Sequence, residues 1–148
     1  MIDMTLNFYS QGKSQIPDRI KNTIATFGLK EVEKNLLPHF FCRDGEFLYA
    51  YENGELKLNF SEEFQHFIKQ KSKVSPGPLY KALGIKNRPN LFVVDATGGT
   101  GKDSALILSF GVNLMVFERH PVLQVLLAEQ FFAFKKEFSN TDITLDFV

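Results

Sequence analysis

The chain has 148 residues, enough for one domain or for a small domain with part of a second. Lysine plus arginine and aspartate plus glutamate stand at 17 each, so no bulk field draws polyanions and any nucleic-acid contact must be a local patch. Apolar residues make up 44% of the chain, ample for a core, yet no run of them reaches the roughly 20 needed to span a bilayer. The single Cys42 excludes an internal disulfide, and the N-terminus lacks the basic-then-apolar pattern of a leader, so a cytoplasmic protein with no membrane role is expected. Sixteen Phe against no Trp predict a dry interior, because Phe needs no hydrogen-bond partner when buried.

Residues 1–63 read as a small α+β domain. Thr5 to Tyr9 suits a strand, and Ile16, Ile20, Ile24 and Phe27 recur at helical spacing before Gly28, a stop signal. Strands follow at Phe40–Cys42, Phe47–Tyr51 and Leu56–Phe60, with turns at Arg43-Asp44-Gly45 and at Asn53-Gly54. The Asn-Gly pair predicts a type I′ hairpin, because both residues tolerate the positive φ that this turn demands. Phe47, Tyr49 and Tyr51 share one strand face and Leu56, Leu58 and Phe60 the next; these are expected as core faces rather than as a platform for bases.

From Phe64 to Asn90 there is no acidic residue, while Lys69, Lys71, Lys73, Lys81, Lys86 and Arg88 all fall there. With Ser75-Pro76-Gly77-Pro78 inside it, residues 64–90 read as a basic linker, serving either as a solvated connector or as a phosphate-contacting strip.

Residues 91–148 alternate β-α-β-α-β. Leu91–Val94 is a continuous apolar run, expected for a parallel strand buried on both faces. A helix follows from Ser104 to Phe110, closed by Gly111, then a strand from Val112 to Phe117. Pro121 opens an apolar helix reaching Phe138, with Lys135 and Lys136 in its last turns, and a third strand is expected from Ile143 onward. Right-handed crossovers then make this one mononucleotide-binding half of a Rossmann-like parallel sheet.

The chemistry sits in the turn Asp95-Ala96-Thr97-Gly98-Gly99-Thr100-Gly101-Lys102-Asp103. Its glycines let the backbone approach a ligand closely, and the helix starting near Lys102 aims unpaired N–H groups at the same place, favouring carboxylate or phosphate. Three patterns compete. A Walker-type loop fits at Gly101-Lys102, but Ala96 replaces its first glycine and Asp103 its hydroxyl. The dinucleotide G-x-G-x-x-G fits at Gly99 and Gly101, with Ser104 in the last position. An S-adenosylmethionine-type acid-x-Gly-x-Gly-x-Gly fits at Asp95, Gly99 and Gly101, with Thr97 for the first glycine. Acids at Asp95 and Asp103 sit more easily beside the ammonium of the third ligand than beside a pyrophosphate. Roughly 20 residues past the turn, Glu118 stands where a carboxylate accepts from ribose hydroxyls, and Arg119 could flank the adenine. His39, His66, His120 and Cys42 have no ligand-like spacing, so no metal is assigned.

The run Gly84-Ile85-Lys86 through Asp95, Thr97, Gly99, Gly101 and Asp103 to Phe117-Glu118-Arg119 and Pro121 resembles the RsmJ family of ribosomal RNA methyltransferases. The resemblance covers about residues 79 to 127 and implies a class I methyltransferase fold. It also implies S-adenosylmethionine as cofactor and the N2 of a guanine in small-subunit rRNA as acceptor. Lys102, Asp103, Glu118 and Arg119 fall on the family's cofactor-contacting positions, Lys102 where the family has Arg. The family's Gly/Arg-rich segment is replaced here by Lys71 to Pro78, and its later strands, with the Asp-Pro motif that holds the target base, do not occur in the sequence. Two expectations follow: an incomplete sheet whose open edge at Leu91–Val94 invites self-association or a partner chain, and, as the alternative function, a catalytically inactive truncated or split paralogue that binds RNA or protein.

Overall fold

In a computed structural model, the described residues are 6–10, 16–33, 36–70, 77–88, 90–139 and 145–147. Thr5, Lys71, Lys73, Ser75, Pro76 and Ile143 lie outside them, and with them parts of the first strand, the basic stretch and the third parallel strand expected from the sequence.

Two sheets share one core. The first has the order β2-β1-β3-β4-β5, built from β1 (Asn7–Tyr9), β2 (Lys30–Glu31), β3 (His39–Arg43), β4 (Glu46–Tyr51) and β5 (Gly54–Leu56). β1 runs parallel to β2 and β3, while β3-β4-β5 is an antiparallel meander. Helix α1 (Asp18–Thr26) connects β1 to β2, with Ile20 fully buried, and Gly28 follows it at φ +60°. The tight positive-φ turn is not at Asn53-Gly54. Asp44 (φ 53°) and Gly45 (φ 78°) form it, between the paired residues Arg43 and Glu46. Glu52 and Asn53 make the second turn, and Gly54 is already in β5, paired with Tyr51.

The expected strand Leu56–Phe60 is corrected. β5 ends at Leu56, and Phe60 is the first residue of helix α2 (Phe60–Gln70). Leu56, Leu58 and Phe60 alternate as a strand would, but Phe60 and Phe64 also stand four apart, on one helical face, and that face packs edge-on against Phe131, Phe134 and Phe138. Glu62 and Glu63 in its first turn suit the helix dipole. The expected linker 64–90 therefore begins as a packed helix. It continues, after 71–76, as the short helix α3 (Pro78–Ala82) and a 3₁₀ turn, Ile85–Asn87.

The second sheet has the order β6-β7-β8, all parallel: β6 (Phe92–Asp95), β7 (Asn113–Val116) and β8 (Leu145–Phe147). Helices α4 (Lys102–Ser109) and α5 (Pro121–Glu137) make its crossovers, and right-handed connections in sequential order put both on one face. Val93, Leu114 and Val116 are buried toward that face. The expectation that β6 is buried on both faces is overturned: Phe92 and Val94, on its other face, are 51% and 52% exposed. Among the described residues no helix covers them, and β6 is the sheet's edge.

Buried side chains of both sheets form a single cluster in which Phe60, Phe64, Leu127, Phe131 and Phe134 join the two. A part-buried ion pair also spans them, with Arg19 Nε of α1 donating to Glu129 Oε1 of α5 at 2.6 Å. No described helix is long and apolar enough to cross a membrane.

Candidate cofactor-binding site

The site lies at the carboxyl ends of β6 and β7, where open parallel sheets bind their ligands. Asp95 ends β6 and fixes the first part of the turn. Its Oδ1 accepts the Thr97 N–H at 3.0 Å and its Oδ2 accepts the Ser104 hydroxyl at 2.6 Å, so strand end and helix start are tied through one carboxylate. Gly98 N–H donates to Phe117 O at 2.8 Å, and Gly101 N–H closes a turn onto Gly98 O at 2.8 Å. Gly99 and Gly101 take φ +55° and +84°, the left-handed region where a side chain is strained. Gly98 is needed for space instead, since a Cβ there would meet Val116 Cγ1 at 2.7 Å.

Glu118, just beyond β7, faces this turn. Its Oε2 accepts the Gly99 N–H at 2.7 Å and its Oε1 accepts the His120 N–H at 2.6 Å. Burial on its own raises the Glu118 pKa, but the N–H bonds from His120, Gly99 and Arg119, with the His120 charge, outweigh it and the net shift is downward. Glu118 is thus held ionised. Gln124 of α5 steadies the segment by donating to the Glu118 carbonyl.

Glu118 is expected from the sequence to act as a ribose acceptor, and the structure shows it holding the turn. A carboxylate has about four lone-pair sites, so these N–H bonds leave it acceptor capacity and the two roles are compatible. Lys102 and Asp103 open α4 with exposed side chains, Thr97 is exposed beside them, and Arg119 is exposed after Glu118. Gly101 is the N-cap of α4 and supplies no side-chain cap, leaving that helix end receptive to an anion. The eight residues singled out from the sequence thus fall on two adjacent strand ends. Among the described residues no group of three or more His, Cys, Asp or Glu is placed to hold a metal ion.

Three residues have roles in the turn that the sequence reading does not give them. Ser104, fully buried, is the partner that orients Asp95; a hydroxyl in the first helical turn after a strand-end acid was the available signal. Phe60 and Leu127 pack behind Gly101, and no local pattern announces them.

A glycine turn and a strand-end acid on a β-α-β-α-β half-sheet define a Rossmann-like nucleotide-binding unit. Comparison with known proteins agrees. The chain belongs to the family described as putative SAM-dependent methyltransferases, whose family model matches residues 46–144. It is 34% identical over 118 residues to ribosomal RNA small subunit methyltransferase J of Buchnera aphidicola subsp. Schizaphis graminum, a match covering 75% of this chain and 46% of the relative. To the protein of the same name from Proteus mirabilis it is 41% identical over 63 residues, 43% of this chain and 24% of that one. A crystal structure of a SAM-dependent methyltransferase from Neisseria gonorrhoeae superposes with a TM-score of 0.71 at 19% identity, over 95% of this chain and 59% of that chain, and shows the shared fold. The chain spans about half the length, or less, of the relatives it matches. The resemblance to the RsmJ family read from residues 79 to 127 is therefore borne out, and S-adenosylmethionine is the cofactor that the family's description names.

Proposed function

We propose that this chain carries the cofactor-binding half of an S-adenosylmethionine-dependent ribosomal RNA methyltransferase. The carrying observation is the 2.7 Å bond from Gly99 N–H to Glu118 Oε2, which sets an ionised acid of one strand end against the glycine turn of the next. In this reading Glu118 takes the ribose hydroxyls, Arg119 flanks the adenine, and the uncapped start of α4, with Lys102, takes the methionine carboxylate. Asp103 and Asp95 favour the ammonium beside it. When bound, the cofactor supplies an electrophilic methyl on a sulfonium; the protein's part is to hold it aligned for attack.

The acceptor is small-subunit rRNA, supported by the names of the relatives, and, on the resemblance, the N2 of a guanine. Lys69, Lys81, Lys86 and Arg88 are exposed and offer a basic strip for its phosphates, and Lys71 and Lys73 belong to the same stretch of sequence. A second reading, a binding module that works with another chain, is favoured by one observation. Among the described residues β6 is an unpaired edge, with Phe92 and Val94 half exposed beside it, and further strands from a second copy or a partner would cover both.

Calorimetry with S-adenosylmethionine, S-adenosylhomocysteine, NAD and ATP tests the core of the proposal. Binding of the two sulfur nucleosides in preference to the others is expected; tighter binding of NAD overturns it.

A further inference from the structure

Gly101 ends the cofactor turn, and behind it Leu127 of α5 is joined by Phe60, which comes from outside the parallel half-sheet. A Cβ at this position would stand 2.9 Å from Leu127 Cδ2 and 3.0 Å from Phe60 Cδ2. The Phe60 ring, 1% exposed, is thus part of the floor under the turn. It is held edge-on by Phe131 and Phe134, with ring centroids 4.7 and 5.2 Å away. The backbone N–H of Phe60, unpaired by the helix it starts, donates to Gln130 Oε1 at 3.0 Å. Gln130 Nε2 donates to Glu129 Oε2 at 3.0 Å, and Glu129 Oε1 accepts from Arg19. A continuous line of contacts therefore runs from α1, through α5 and the start of α2, to the glycine turn.

We infer that Phe60 is a positioning residue for the cofactor turn, and that the N-terminal unit sets, through Phe60 and Gln130, how tightly that turn holds S-adenosylmethionine. This rests on the methyltransferase reading for the identity of the ligand. A glycine at positive φ has no side chain to anchor it and moves more freely than any other residue, so its place is decided by what packs against it. Trimming the Phe60 ring leaves a void into which Gly101 can shift, and only partial collapse is expected in a close-packed interior. Such a shift displaces the first N–H groups of α4 and the Gly99–Glu118 bond together, because all belong to one short loop.

The test compares Phe60→Leu with Phe64→Leu in the full chain. Phe64 is also buried, one helical turn on, and meets Phe134 and Phe138 edge-on. Both variants are expected to lose stability, but only Phe60→Leu is expected to weaken S-adenosylhomocysteine binding, by about 2- to 30-fold, the range in which changes along a packed line alter coupling. Gln130→Leu, which removes the acceptor of the Phe60 N–H without touching a ring, is expected to shift binding the same way. A second readout needs no ligand: the amide resonances and hydrogen exchange of Gly98 to Lys102 should change in Phe60→Leu and not in Phe64→Leu. Equal effects of the two Phe variants on both readouts overturn the inference. If the unaltered chain binds no S-adenosylhomocysteine, the methyltransferase reading fails, and the amide readout alone then decides whether Phe60 positions the turn.

Discussion

Glu118 Oε2 accepts the Gly99 N–H at 2.7 Å, so the acid expected to read the ribose also fastens the turn that receives the rest of the ligand. Glu118→Ala removes both functions at once. Calorimetry should show S-adenosylhomocysteine binding reduced by about ten- to a hundredfold, the loss that follows from deleting hydrogen bonds to a charged group. Unchanged affinity would remove Glu118 from the site.

The same carboxylate makes stability depend on acid. Its folded pKa lies below the ordinary value of 4.5, so its contribution is fully present above that value and is lost as pH falls through the lowered folded pKa. Urea midpoints measured from neutral pH down into the acid range should fall more steeply for the native chain than for Glu118→Gln. Parallel curves would show that the N–H bonds to Glu118 do not persist in solution.

Ser104 donates its hydroxyl to Asp95 at 2.6 Å from a fully buried position. Ser104→Ala leaves one Asp95 oxygen without this partner and should cost about 1–3 kcal/mol in denaturant unfolding. Ser104→Thr keeps the hydroxyl but adds a methyl to a fully buried, close-packed position, and it should not restore full stability.

Arg19 and Glu129 form an ion pair whose acid is 1% exposed. Arg19→Met strands a buried carboxylate and should destabilise by roughly 3 kcal/mol or more, whereas the joint change Arg19→Met with Glu129→Leu should recover much of that loss. A double-mutant cycle measures the difference. Equal destabilisation by the single and double variants would mean that the pair is not formed in solution.

β6 is expected to mediate association through its free edge and the bare face of Phe92 and Val94. Light scattering should show a mass that rises with concentration, and Val94→Lys, a charge on an edge strand, should lower it. A well-folded monomer at high concentration, with protected β6 amides, would count against the association.

What was legible in the sequence was what short-range geometry decides. The positive φ at Gly99 and Gly101, Pro121 opening α5, and Gly28 after α1 follow from what each residue's own backbone permits. The parallel order of β6, β7 and β8, and with it the placing of Asp95 and Glu118 at neighbouring strand ends, follows from β-α-β-α-β alternation and the hand of the crossovers. Tertiary structure alone settled the rest. Leu56, Leu58 and Phe60 satisfy a strand's period, and Phe60 became helical because its partners Phe131 and Phe134 lie some 70 residues on, beyond any local pattern. The exposure of Phe92 and Val94 is likewise invisible in an apolar run, because burial depends on whether another element lies across that face. Nothing near Arg19 in sequence points to Glu129, and nothing near Gly101 points to Phe60: a long-range contact belongs to two distant segments, and only the packing of one on the other brings its partners together.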